Sequence, residues 1–378
     1  MHLKLKFLYF FIWAGIGIFF PFISVYYRGL GLSGTQIGTI GMVNSFVGAI
    51  SATLWGIFYD RTGKLRYLLS ITCVGTIVSA LLLSQMDSFT TMLAVAAVMT
   101  FFAAPLIPLL DSITIRALGP RSNEFGSFRL FGTLGFMTCS SMGGFIFERF
   151  TMKALFLVYA LGVFIFMILA FTLRAPPVKL ARSPIAGLKN MVRLPAWLIF
   201  AGSIFLLWFA AMGAIGFLGV TIKEMGGTDK LIGLGATVAA ATEIPFLFFS
   251  SRLLTRFGAG KLMTVSFLFY TLRLGLYGIM PAPGWVPFIN LINGVSYVPF
   301  LIGSVQYANQ LAPEELKSTS MGLLTTVLSL AGMMGIWVGG WLFDHTGPSG
   351  MFLRMALMSL AAYGLFWIGG KIKSHPGI

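Results

Sequence analysis

Residues 55–67 read WGIFYDRTGKLRY and place four charged side chains within seven positions of an otherwise apolar region. The chain on either side stays apolar for about 20 residues, the length that a helix needs to cross a bilayer core. The stretch is therefore typical of a short loop between two membrane helices, and the same alternation recurs along the chain. It predicts twelve helices, near residues 6–27, 36–58, 67–86, 90–115, 125–147, 153–173, 197–221, 230–250, 261–280, 285–309, 318–342 and 350–370.

Composition supports an all-α integral membrane protein. The 378 residues are 57% hydrophobic and 10% charged, whereas a soluble domain carries about 25% charged residues. The net charge of +15 could suggest nucleic acid as a partner. Most of the basic residues, however, fall in loops on one side of the predicted helices, as the positive-inside rule requires. The charge therefore indicates topology, with both termini cytoplasmic and the lipid bilayer, not nucleic acid, as the partner.

The charged loop has a degenerate second copy. Residues 249–261 read FSSRLLTRFGAGK, in which Arg256 and Gly258 align with Arg61 and Gly63 of the first copy. Two related halves of six helices are a common design of secondary transporters, with the solute site near the midplane where the halves meet. We therefore predict an N-terminal bundle 1–174 and a C-terminal bundle 197–378. A polar, proline-containing cytoplasmic linker, residues 175–196, joins them.

The stretch GIFYDRTGKLR, residues 56–66, resembles the loop signature Gly-x-x-x-Asp-Arg-x-Gly of the major facilitator superfamily. The resemblance implies two six-helix bundles that transport a solute by alternating access. In this interpretation a small residue permits close helix approach, and the charged residues latch one side of the protein. The positions concerned are Gly56, Asp60, Arg61, Gly63 and Arg256.

Four ionisable residues fall inside predicted helices, where charges are costly enough to suggest function. Counting about 1.5 Å per residue from the nearest cytoplasmic charge places Asp111 and Arg129 roughly 7 to 8 Å deep. The same count places Glu243 about 13 Å and Arg273 about 18 Å deep, a difference that two long side chains can bridge. Each half therefore supplies one acid and one base. The alternative is that these pairs only hold helices together, because buried ion pairs often do little more than offset their desolvation.

Residues 111–136 resemble the helix 4 to helix 5 region of the lactose permease family, the oligosaccharide:proton symporters. In that family an acid and an arginine eighteen residues apart bind the sugar, a spacing that Asp111 and Arg129 share. The tryptophan on which the sugar stacks corresponds to Phe136. Residues 20–32 also resemble the phenylpropionate permease, which leaves an aromatic carboxylate open as the solute.

The second half departs from the lactose permease family at helix 10. The proton-carrying Glu, the His and the Lys of that family align with Tyr297, Gly294 and Leu291. The family's proton relay is therefore absent. We expect Glu243 with Arg273, and then Asp111, to carry proton coupling.

Helix 10 nevertheless has a polar face. Asn290, Asn293 and Tyr297 recur at intervals of three and four residues, so one face of the helix can bind a solute through hydrogen bonds. The alternative is that these side chains form hydrogen bonds between helices.

Together these features predict a monomeric, proton-coupled importer of a small solute, sugar or oligosaccharide-like, in the inner membrane of a bacterium. The proton is the coupling ion, and we expect no other cofactor and no metal site. The remaining alternatives are an aromatic carboxylate permease, a proton-driven exporter and a membrane sensor that does not transport. An enzyme is disfavoured because no nucleophile and base arrangement is apparent.

Overall fold

The computed structural model describes residues 2–119, 121, 125–171, 194–313 and 316–373, with backbone alone at residues 60, 318 and 370–373. The predicted linker 175–196 lies outside the described residues except at its last three positions. The helices of the N-terminal part are α1 His2–Phe19, α2 Ile23–Gly29, α3 Gly34–Thr62, α4 Leu65–Leu83, α5 Phe89–Ala103, α6 Leu106–Leu118, α7 Phe125–Arg149 and α8 Ala154–Phe171.

The C-terminal part continues in the same way, with one short 3-10 helix at Pro283–Trp285. Its helices are α9 Pro195–Ile215, α10 Leu218–Glu224, α11 Asp229–Phe248, α12 Ser250–Ile279, α13 Val286–Asn290, α14 Asn293–Leu311 and α15 Lys317–Lys373.

The described helices account for the twelve predicted segments. Ten of them are long and apolar enough to cross a membrane, and the bent pair Pro283–Asn290 and Asn293–Leu311 makes an eleventh span. One of the ten, Thr319–Gly369, has 51 residues. Its backbone leaves helical geometry at Gly347, which Pro348 follows, so it contains two spans. The all-α membrane fold is thereby confirmed.

Contacts divide the chain into two compact units. One comprises Met1–Ala181 and Gly219–Val238, and the other comprises Arg182–Leu218 and Ala239–Ile378. This division differs from the predicted halves, because residues 219–238 follow the predicted linker but pack with the N-terminal helices. The domain boundaries stay a prediction.

Glycines with positive φ stand 195 positions apart in the two sequence copies, although ψ differs, at 2° for Gly63 and 160° for Gly258. Gly63 ends α3 at φ 62°, and Gly258 interrupts α12 at φ 74°. Both values lie in the left-handed region, where a side chain is unfavourable, which explains why glycine stands at both positions. The amide of Gly31 donates to the carbonyl of Arg28 over 2.9 Å, and that of Gly226 donates to Lys223 over 2.9 Å. The repeat inferred from the charged loop therefore extends to a second turn.

Glycines bring helix backbones together in the first unit. A Cβ on Gly17 of α1 would collide with the backbone of Phe136, and one on Gly135 of α7 would collide with the carbonyl of Phe10. Small residues of this kind allow membrane helices to pack by direct backbone contact. The resulting α1–α7 contact fixes the helix that carries Arg129 and Phe136.

Glycines also allow close packing of α9 against α15 in the second unit. A Cβ on Gly335 would collide with the carbonyl of Phe209, and one on Gly339 would collide with that of Gly213. The two helices are therefore in contact along their backbones.

Gly339→Ala should lower the free energy of unfolding by about 1 to 3 kcal/mol, because the methyl group overpacks this contact. Thermal unfolding of the purified protein in detergent measures the change. Gly322 of the same helix is the matched control, since no atom of the described residues lies within 4 Å of its Cβ position. Gly322→Ala should be neutral or stabilising by about 0.5 to 1 kcal/mol. Equal melting temperatures for the two variants would contradict the close-packing interpretation.

Candidate functional site

The first unit brings Asp111 of α6 and Arg129 of α7 together as an ion pair. Arg129 Nη1 lies 3.4 Å from Asp111 Oδ2, and the side chains of the arginine and the acid are 45% and 24% exposed. The other carboxylate oxygen, Oδ1, accepts a 2.6 Å hydrogen bond from the hydroxyl of Tyr9. The two residues expected to contact each other therefore do so, in a position that water or a solute can reach.

Two aromatic residues of α1 complete this pair and were missed by the sequence reasoning. Tyr9 holds Asp111, and the ring of Trp13 lies 5.5 Å from the guanidinium carbon of Arg129. Residues four apart lie on one face of a helix, so α1 presents both rings to the same ion pair. The spacing of a tyrosine and a tryptophan on the first helix was a usable signal. It was obscured by the 37 phenylalanines of the chain.

Phe136 lies seven residues after Arg129 on α7, which is about two turns along the same helix face. Its side chain is half-buried. The structure thus keeps Phe136 on the face that carries Arg129, while its predicted stacking role stays a prediction.

The second unit holds Arg273 of α12 in a cluster of neutral oxygens. The residue is 3% exposed. Its Nη1 donates to Asn293 Oδ1, its Nη2 donates to Asn290 Oδ1 over 3.0 Å, and its Nε donates to the Tyr277 hydroxyl over 3.2 Å. The Tyr277 hydroxyl donates in turn to Asn290 Oδ1. Arg273 is therefore held at every part of its guanidinium group by uncharged partners.

Glu243 of α11 joins this cluster through Asn293. The Nδ2 atom of Asn293 donates to Glu243 Oε1 over 2.8 Å and to the Ala239 carbonyl over 2.9 Å. A direct ion pair between Glu243 and Arg273 is absent among the described residues, so the expectation of a contacting acid and base is corrected here. The carboxamide replaces it because its oxygen can accept from the arginine while its nitrogen donates to the acid.

The polar face predicted for the tenth segment, residues 285–309, lies on α13 and α14 and contains two kinds of residue. Asn290 and Asn293 are 1% and 5% exposed, and their side-chain oxygens accept from Arg273. Tyr297 is half-buried, and its ring lies 6.4 Å from that of Trp208. The interhelix hydrogen bonds of the two asparagines are thus present, and a solute-binding role for the three residues stays a prediction. Tyr277, which the sequence reasoning missed, lies one turn after Arg273.

Of the predicted gating residues, Arg61 and Gly63 lie at the end of α3, Gly56 lies within α3, and Arg256 lies two residues before the kink of α12 at Gly258. Arg61 and Arg256 are exposed, and the guanidinium carbon of Arg256 lies 5.5 Å from the ring of Phe257. The side chain of Asp60 lies outside the described residues. No atom of the described residues lies within 4 Å of the Cβ position of Gly56, so the close helix approach expected at Gly56 stays a prediction. The latch itself stays a prediction.

Ion pairs attach residues 219–238 to the N-terminal helices, and these were not foreseen either. Arg28 of α2 donates to Glu224 Oε1 from Nε over 3.0 Å and from Nη2 over 2.7 Å. Lys230 forms an ion pair with Glu148 at the end of α7. Within the first unit, α10 and the start of α11 are therefore fixed to α2 and α7.

Tyr9→Phe should lower the free energy of unfolding by about 1.5 to 3 kcal/mol, because the hydrogen bond from the Tyr9 hydroxyl to the charged Asp111 is lost. Tyr26→Phe is the matched control, since the buried Tyr26 hydroxyl has no hydrogen-bond partner in the described part of the chain. Thermal unfolding of both variants in one detergent gives the comparison. A Tyr9→Phe variant as stable as Tyr26→Phe would show that the hydroxyl contact is energetically negligible.

A family model described as the MFS_1 like family matches residues 2–354. The maltose permease of Geobacillus stearothermophilus is 29% identical over 346 residues, which cover 89% of this chain and 86% of the permease. The probable 3-phenylpropionic acid transporter of Escherichia coli is 23% identical over 364 residues, which cover 93% of each protein. The crystal structure of the nucleoside transporter NupG matches with a TM-score of 0.85 at 18% identity, covering 98% of this chain and 99% of NupG.

These matches extend over nearly the whole chain. The structural match concerns the fold, and the sequence relatives are permeases and transporters rather than enzymes. They agree with the loop signature and the helix pattern. The chain is a multi-pass membrane transporter and belongs to the MFS_1 like family of the major facilitator superfamily.

Proposed function

We propose that the protein imports a neutral, hydroxyl-rich solute of the sugar class together with a proton, by alternating access. The observation that carries this proposal is the exposed Asp111–Arg129 ion pair, which is neutral as a whole and offers donors beside acceptors. The similarity to a maltose permease over most of the chain supports the same solute class.

The chemistry of the pair favours hydroxyl groups over a carboxylate. Among the described residues Arg129 uses one nitrogen for its hydrogen bond to Asp111, so its remaining N–H groups are available to hydroxyl oxygens. Asp111 Oδ2 can accept from a hydroxyl of the same solute. A carboxylate would instead meet the negative charge of Asp111 at close range. Sugars carry donor and acceptor on each hydroxyl and therefore match both members of the pair.

Aromatic rings near the pair suit the same solute. Trp13 supports the guanidinium of Arg129 from α1, and Phe136 lies further along α7. We infer that Phe136 stacks against the apolar face of the sugar ring, as the resemblance to oligosaccharide:proton symporters implies.

Proton coupling is proposed for Glu243 with Arg273. Glu243 is the acid that shares a hydrogen-bonded cluster with a buried arginine. Taking up or releasing a proton there changes the charge beside Arg273, which can favour one conformation of the transport cycle over another. The excess of basic residues on one side supports an inner-membrane orientation with both termini cytoplasmic.

The solute class is tested by thermal unfolding of the purified protein with maltose or 3-phenylpropionate. A ligand that binds the folded state raises its melting temperature. We expect a shift with maltose and none with 3-phenylpropionate. A shift with the aryl acid alone would replace the sugar proposal with an aromatic carboxylate permease.

Arg129→Lys should weaken maltose binding about tenfold or more, because an interaction of about 1.5 to 3 kcal/mol with a charged donor is lost. Lysine keeps the charge but lacks the planar fork of donors. Isothermal titration with maltose measures the affinity, and Arg149→Lys at the exposed end of the same helix is the control. Unchanged affinity in Arg129→Lys would remove Arg129 from the solute site.

Glu243→Gln should abolish accumulation of maltose driven by an inward proton gradient in proteoliposomes, while exchange of internal for external maltose continues. Glutamine keeps the size and hydrogen-bonding capacity of the side chain but cannot take up the proton. Asp87→Asn is the control, since Asp87 is an exposed acid. Equal accumulation by Glu243→Gln and the wild type would refute this coupling assignment.

A further inference from the structure

We infer that Asn293 couples Glu243 to Arg273. Protonation of the acid then changes the environment of the arginine through one carboxamide group. The inference rests on the coupling role proposed above for Glu243. Asn293 begins α14, Glu243 lies on α11 and Arg273 lies on α12. One side chain therefore joins the charged residues of two other helices.

The link between Glu243 and Arg273 matters because Arg273 is charged and buried. Its three hydrogen-bond partners, Asn290, Asn293 and Tyr277, are neutral. A buried charge is costly unless another charge compensates it. Glu243, on the other side of the Asn293 carboxamide, is the acid that the cluster supplies. Among the described residues, the tyrosines Tyr277 and Tyr270 are further titratable groups beside Arg273, and Tyr297 lies near Tyr270.

Protonation of Glu243 removes that compensation. A proton taken from water converts the carboxylate to a neutral carboxylic acid, and no other bond changes. The hydrogen bond from Asn293 Nδ2 then ends on a neutral acceptor, which is weaker than a charged one. Arg273 keeps its charge in a site that is now positive overall, so the arrangement becomes less favourable. The result is a bias towards conformations in which Arg273 reaches water or an anionic group.

The carboxamide of Asn293 has a fixed orientation. Its oxygen accepts from Arg273, and its nitrogen donates to both Glu243 and the Ala239 carbonyl. Rotating the group by half a turn would set its N–H groups against those of Arg273 and leave the Ala239 carbonyl without this donor. The link therefore has one direction, with the acceptor towards the base and the donors towards the acid.

Asn290 provides a matched control. It also accepts from Arg273, over 3.0 Å, and is as deeply buried as Asn293. Removing either carboxamide takes one acceptor from the arginine. The hydrogen bond between Asn293 and Glu243 is kept when Asn290 is replaced, so the two variants separate loss of support for Arg273 from loss of the link.

Infrared difference spectroscopy of the full-length protein in lipid, between neutral and acidic pH, tests the inference without a known solute. Carboxylic acid bands that Glu243→Gln abolishes belong to Glu243. Guanidinium bands are assigned with isotope-labelled arginine. Those that Glu243→Gln also abolishes report the response of arginine to Glu243. In the wild type and in Asn290→Ala we expect both sets of bands.

In Asn293→Ala we expect the Glu243 band to remain and the dependent arginine bands to be lost. Asn293→Leu should behave in the same way while nearly conserving the volume of the side chain, which controls for the cavity that alanine leaves. Arginine bands that persist in both Asn293 variants would overturn the inference. A wild type without any Glu243 band would instead refute the proposed coupling role of Glu243 itself.

Discussion

The cost of placing charge in an apolar interior is the constraint on which this structure depends. Within a bilayer core, each charged side chain needs a partner or a route to water. The first unit meets the requirement with a direct ion pair, Asp111 and Arg129, that is partly exposed. The second buries Arg273 almost completely and surrounds it with carboxamide and hydroxyl oxygens. The first arrangement suits reversible contact with a solute, and the second suits a response to a proton.

The glycines make these arrangements geometrically possible. Helices α1 and α7 touch along their backbones at Gly17 and Gly135, and α1 presents Tyr9 and Trp13 to the charges on its neighbours. Bulky residues at the two glycines would separate the helices by the width of a side chain. Trp13 of α1 could then no longer lie beside the guanidinium group of Arg129 on α7. Packing and chemistry are therefore linked in the same pair of helices.

The two copies of the internal repeat are alike in their glycines but differ in their charged side chains. Gly63 and Gly258 both have a positive φ, which favours glycine, although their ψ angles differ. The charged side chains are not repeated in this way, since each unit places its acid and its base differently. Glycine positions are thus shared between the halves, whereas the polar interior is particular to each.

The helices and many charged positions could be predicted from the sequence, because apolar length and depth counting depend on residues close together in the chain. The contact of Asp111 with Arg129 could be predicted because the two residues lie at similar depths on consecutive, antiparallel helices. Tyr9, Trp13 and Tyr277 could not be identified among so many aromatic residues without knowing which helix faces meet.

The sequence by itself determined the membrane-spanning helices, the repeated turns and the four charges inside the helices. The tertiary structure alone decided that Asn293 stands between Glu243 and Arg273, where a direct pair was expected. The hydrogen-bonding group that separates two charges depends on where a third helix lies. That position is set by packing between segments distant in sequence, which no local pattern of residues records.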